Sequence, residues 1–236
     1  MYRFLAHAFE DPTEESWNKL SDPGFQQIVE SAVGTVAATA PALADTTVAF
    51  HHRLKPEQFE SFLSSYLAAF GHAARGRCPL NEIEYGDLKA DPLFQPHRLA
   101  DLAAFYRAFG LEVAEDAGER HDHLCLELEF MCVLAAKEAY ALEHQSDRAD
   151  LDCCRDAQKR FLREHLGRWV PAFTRRLERL AGDTALAALA GLTRAFIEAE
   201  CASAGVSPGG EDLLLRPVDA AAESMCSSCG VSQSPA

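Results

Sequence analysis

Positive charge is scarce in this chain. Its 22 lysines and arginines face 36 aspartates and glutamates, for a formal charge of −14 over 236 residues. So acidic a surface repels a phosphate backbone, which excludes nucleic-acid binding unless a local basic patch exists. The best basic cluster, Arg168, Arg175, Arg176 and Arg179, sits on a helix dotted with acids and reads as a solvated face. Long apolar runs are missing too. The most tempting stretch, Val33 to Phe50, is broken by Pro41 and Asp45, so no membrane span and no stable membrane association are expected. The opening residues form a short amphipathic pattern with His7 and Glu10 close behind rather than an export signal. The chain is expected in the cytoplasm.

Signatures of enzymes are absent as well. There is no phosphate-binding Gly-x-x-x-x-Gly-Lys-Ser/Thr loop and no Gly-x-Ser-x-Gly elbow. None of the 9 histidines has an acid three residues before it, which removes the Glu-x-x-His pair of a di-iron bundle. No catalytic residue and no tightly bound cofactor are expected. Nothing supports export, so the 8 cysteines read as mostly reduced thiols. Cys226 and Cys229, in Cys-x-x-Cys spacing, are half of a zinc or iron–sulfur site that would need two more ligands. They carry the alternative reading, a helical thiol or metal-binding protein. The bland reading of the same pair is a redox-exposed tail.

Helical periodicity runs through nearly all of what remains, and 48% hydrophobic residues suffice for a core. The spacing predicts helices over 2–9, a short one capped by Thr13, then 25–39, 57–70, 99–109, 122–144, 147–166, 170–180 and 183–204. Asp183 is the expected cap and Gly205 the stop of the last. The helix over 122–144 has apolar residues on several sides, as a central helix would. The expected fold is an all-α, single-domain bundle over residues 1–205. A Ser-, Gly- and Pro-rich mobile tail is expected over 206–236, with a short packed piece at Leu213–Leu215. Between Gly71 and Pro96 the periodicity lapses for about 25 residues, and loops of that length are usually functional.

That loop opens the most informative stretch of the chain. Cys78-Pro79 is followed by Glu82, Glu84, Tyr85 and Asp87, acids suited to charge-assisted pairing with arginine, or else a solvated loop. A helix then places Leu99, Leu102, Phe105, Tyr106 and Phe109 on one face, where Tyr106 reads as core. A hinge, Glu119-Arg120-His121-Asp122-His123-Leu124, runs into Glu129-Phe130-Met131. Asp122 reads as the cap of the long helix, with His123 beside it as a possible peptide contact.

This order of motifs resembles the TorD/DmsD/NarJ family of molybdoenzyme maturation chaperones. The likeness is greatest to the branch serving dimethyl sulfide, selenate and ethylbenzene dehydrogenase-type enzymes. Three elements carry it: Cys78-Pro79 with Glu84-Tyr85, the Leu99-Ala100-Asp101 to Leu111 helix, and Glu119-Arg120-x-Asp122-His123-Leu124. One departure is His121 where the family usually has proline; proline fixes φ and histidine does not. The resemblance implies a chaperone, not an enzyme, with peptide-binding residues Glu84, Tyr85, Asp101, Tyr106, Glu119, Asp122, His123 and Glu129. It implies as partners the large subunit of a molybdopterin oxidoreductase and its twin-arginine signal peptide. It further implies transient contact with the client's molybdopterin cofactor, and a monomer or homodimer.

Overall fold

The computed structural model of the chain describes residues 1–71, 76–86, 94–114, 118–145 and 147–216. Ten α-helices follow in order: α1 Tyr2–Phe9, α2 Glu14–Leu20, α3 Pro23–Gly34, α4 Pro41–His51, α5 Phe59–Phe70, α6 Phe94–Ala108, α7 Leu124–Glu143, α8 Arg148–Glu164, α9 Leu166–Ala181 and α10 Ala185–Ala204. Among the described residues there is no strand and 71% are helical, the all-α bundle that the periodicity predicts. None of the helices described is long and apolar enough to cross a membrane.

Local chemistry sets the helix starts. Thr13 Oγ1 accepts from the Ser16 N–H at 3.1 Å, and Asp22 Oδ1 from the Phe25 N–H at 2.8 Å, each satisfying a donor that a first turn leaves unpaired. The periodicity gives no sign of helix α4, since Pro41 reads as a break. Pro41 instead occupies the first turn, where a missing N–H costs nothing, and α4 buries Leu43, Thr47 and Phe50. Helix α3 accordingly ends at Gly34, short of the expected 39. Helix α9 starts at Leu166, earlier than predicted, and passes through Pro171. Thr184, not Asp183, caps α10; Asp183 pairs with Arg53 instead.

Helix α7 packs between α1 and α8, and α10 lies against α9 and α4. Helix α9 runs through the core as well as the expected α7: Trp169, Val170, Phe173 and Leu177 are all inaccessible to solvent. Fully burying side chains of this kind contributes about 1.5–3 kcal/mol each. The Trp169 and Phe173 rings meet Tyr85 at centroid distances of 5.2 and 6.3 Å, so the irregular segment after α5 is anchored in the same core. Helical structure ends at Gly205, in the left-handed conformation (φ 64°, ψ 40°) that glycine adopts without strain. Residues 206–216 then continue without helix, with Val206 buried and Leu213 and Leu215 against the core. Packing therefore runs past the boundary at 205. The rest of the expected tail, including Cys226 and Cys229, lies outside the described residues.

Candidate functional site

Three segments far apart in sequence converge at the start of α7. Residues 80–82 run antiparallel to the hinge: the Glu82 N–H donates to Asp122 O at 2.9 Å and the Leu124 N–H to Leu80 O at 2.8 Å, around an Asn81–His123 bridge. Asp122 is wholly buried. It is not the helix cap that its position suggested. Its carboxylate accepts from Asn81 Nδ2 (3.2 Å) and the Ile83 N–H (3.1 Å), and pairs with Arg120 through Nε at 3.1 Å. The carboxylate is turned back to bind the loop, so it is a frame residue.

The cap is His123, whose Nδ1 accepts from the Cys125 N–H at 3.3 Å. Accepting at Nδ1 leaves the ring proton on Nε2, which faces Glu119 Oε2 at 3.6 Å. Burial holds the His123 pKa below its usual value, while the Glu119 and Asp122 charges oppose that shift. The hinge does not depend on a proline at position 121. The Tyr106 hydroxyl donates to His121 O at 2.7 Å, and the two rings stack at 6.2 Å.

The loop's other acids divide. Glu82, a loop acid that the sequence offers for pairing with a ligand's arginine, is fully buried. His165 Nδ1 lies 2.7 Å from its Oε2, and Arg168 reaches Oε1 through NH2 at 2.8 Å. Burial alone would raise the Glu82 pKa; the His165 hydrogen bond and the Arg168 and Arg98 charges hold it below the usual carboxylate range. Arg168 also donates to Tyr85 O at 3.2 Å, so it is not a member of a solvated basic face. Tyr85 is buried, its hydroxyl donating to Pro79 O at 2.9 Å. Glu84 is partly exposed, 3.5 Å from Arg120 NH2. Asp101 faces His165 Nε2 at 3.4 Å. Deeper still, Trp169 Nε1 donates to Glu127 Oε2 at 3.1 Å. Burial, then the neighbouring Glu82 charge, pushes the Glu127 pKa well up.

In front of this frame lies a cleft of about 380 Å³. Phe9, Tyr66, Phe70, Pro79, Leu80 and Leu126 supply apolar lining, and Glu10, Asp11, Glu119 and Glu129 supply four carboxyl groups. No lysine or arginine is among the described lining residues. Burial, then the Glu10 charge, raises the Glu129 pKa. A second cavity of about 300 Å³, between α6 and α7, is lined by Tyr106, Leu111, Val113, Phe130 and Val133. Leu126 and Glu129 line both, so acidic cleft and apolar groove adjoin across one turn of α7.

Of the eight residues singled out from sequence, Glu119 and His123 line the cleft, Tyr106 the groove and Glu129 both; Glu84, Tyr85, Asp101 and Asp122 line neither. Glu10 and Asp11 were missed. They follow α1, and nothing local in the sequence says that the end of α1 meets the hinge more than a hundred residues away. Among the described residues no group of three or more His, Cys, Asp or Glu side chains is placed to hold a metal ion.

Residues 32–175 match the family described as nitrate reductase delta subunit. The chain is 32% identical over 186 residues to the selenate reductase assembly chaperone protein of Thauera selenatis, covering 79% of this chain and 78% of that one. It is 33% identical over 148 residues to the dimethyl sulfide dehydrogenase assembly chaperone protein of Rhodovulum sulfidophilum, covering 60% of this chain and 55% of that one. With the perchlorate reductase assembly chaperone protein of Dechloromonas aromatica the identity is 27% over 205 residues, 84% and 86% of the two chains. No solved structure matches it significantly.

Proposed function

The chain belongs to the nitrate reductase delta subunit family, the NarJ/TorD group of molybdoenzyme assembly chaperones, and from that premise we propose that it binds the basic, twin-arginine leader of a molybdopterin oxidoreductase catalytic subunit. It does so in the cytoplasm, holding the unfinished subunit while the cofactor is inserted and before export. The work is binding rather than catalysis, and contact with the client's molybdopterin is transient. One observation carries the reading: a cleft with four carboxyl groups and no lining base adjoins an apolar groove. Such leaders carry arginines followed by an apolar run, and the two cavities offer complementary surfaces in the same order.

Arginine suits the cleft better than lysine would, because its planar fork can take a carboxylate through two parallel hydrogen bonds. The apolar run then buries against Leu111, Val113, Phe130 and Val133, as an amphipathic or extended peptide does in a helix-lined groove. Burial and the Glu10 charge raise the Glu129 pKa, and a cation entering the cleft would oppose that shift.

Calorimetry tests this, using the leader of whichever catalytic subunit co-purifies with the tagged chain. Replacing the leader's two arginines with glutamine is expected to weaken binding at least about tenfold, or about 1.4 kcal/mol. The double substitution Glu119→Gln/Glu129→Gln is expected to do the same with little change in melting. Equal affinity for both peptides would remove the acidic cleft from the account.

A further inference from the structure

Helix α9 carries a proline in its interior, and the effect of that proline reaches the loop beside the cleft. Pro171 has no N–H, so the carbonyl of Gly167, four residues earlier, loses its helical donor. The Gly209 N–H fills the place, at 2.7 Å from Gly167 O. The approach is so close that a Cβ at position 209 would lie 2.0 Å from Arg168 O. Only glycine fits there. Two residues on, Glu211 faces Arg175 Nε at 3.3 Å and Arg194 NH1 at 3.6 Å, tying the segment to α9 and α10.

The chain then pairs with the loop. The Gly86 N–H donates to Leu214 O at 3.1 Å and the Arg216 N–H to Glu84 O at 2.9 Å, around an antiparallel Tyr85–Leu215 bridge. The loop is thus stitched on two sides, to the hinge through residues 80–82 and to residues 214–216 through 84–86. Arg168 links both ends of the arrangement. Its backbone is covered by Gly209, while its guanidinium holds the Glu82 carboxylate and Tyr85 O.

We infer that residues 206–216 form a strap that sets the position of the loop framing the cleft, with Pro171 and Gly209 as the positioning residues that dock it. Only its effect on affinity rests on the peptide-binding reading; its effect on the loop does not. Without the strap, the Gly86 N–H and the Glu84 carbonyl lose their partners, and the Leu213 and Leu215 side chains leave the core.

Two single substitutions in the full chain test this. Gly209→Ala places a methyl where no space exists. Pro171→Ala supplies an N–H that can reclaim Gly167 O and a better helix former for α9, so it releases the strap while sparing the helix. In both, amide exchange at Gly86 and Arg216 should accelerate at least about tenfold relative to α10, and leader affinity should fall about tenfold. Pro171→Ala keeps the test open should Gly209→Ala fail to fold. Unchanged exchange in the folded variants would overturn the strap, and faster exchange with unchanged affinity would overturn its role at the cleft. Were the wild-type chain not to bind the leader, the peptide reading would fall, and exchange alone would decide the strap.

Discussion

Asp122 and Glu119 stand three residues apart on one hinge and meet opposite surroundings. Asp122 is 0% exposed and spends its carboxylate on the loop and Arg120, whereas the Glu119 side chain is 57% exposed at the cleft. The same division runs along the loop and α7. Glu82, Tyr85 and Glu127 are sealed among His165, Arg168 and Trp169, while Glu129 lies at the wall between cleft and groove. A single signature therefore mixes residues that hold the frame with residues that face a ligand. The two kinds should separate cleanly when mutated: frame residues through stability, cleft residues through affinity.

The largest effect is expected at Asp122. Asp122→Ala strands the Ile83 N–H, the Asn81 amide and the Arg120 guanidinium, and should cost about 3 kcal/mol, since hydrogen bonds to a charged group count for about 1.5–3 kcal/mol each. For a chain of this size that lowers the melting temperature by about 6–12 °C. Denaturant unfolding checks it. A loss below about 1 kcal/mol would return Asp122 to the role of an ordinary cap. Glu119→Gln/Glu129→Gln is the counterpart, expected to change stability by no more than about 0.5 kcal/mol.

The effect expected at Glu127 shows as a slope against pH. Burial raises its folded-state pKa above the ordinary 4.5, so the folded chain keeps a proton that the unfolded chain releases. Stability then falls as pH rises from about 4.5 toward the folded-state pKa. Glu127→Gln mimics the protonated form, and its amide can offer a donor or acceptor where Glu127 Oε1 has no partner. The variant should match the wild type near pH 4 and gain on it as the pH rises above about 4.5. Parallel stability curves for the two proteins would show that Glu127 is ionised in the fold.

Much of the architecture could be read from the chain. The periodicity of residues 122–144 and 183–204 gave α7 and α10 nearly to their ends, and the lapse after Gly71 marked the loop. Helix α4 is hidden in the sequence because Pro41 reads as an interruption rather than a start, although Leu43, Thr47 and Phe50 share a helical face. The site was legible only as a neighbourhood. An aspartate before a helix has the same local pattern whether it caps its own helix or turns back to a loop forty residues earlier. Only the packing of that loop decides, and it makes Asp122 frame and His123 cap. Glu10 and Asp11 reach the cleft through the packing of α1 on α7, a contact with no local sequence signal.

The most direct test of the central claim is to locate the peptide. A leader carrying a photoreactive residue beside its arginines, and a second with the probe in its apolar run, can be crosslinked to the full chain and the adducts mapped by mass spectrometry. The account predicts that the first probe marks residues 9–11, 119 and 125–129, and the second residues 111–114, 130 and 133. Adducts of the first probe confined to α3 and α4, or spread without saturation over the surface, would contradict it.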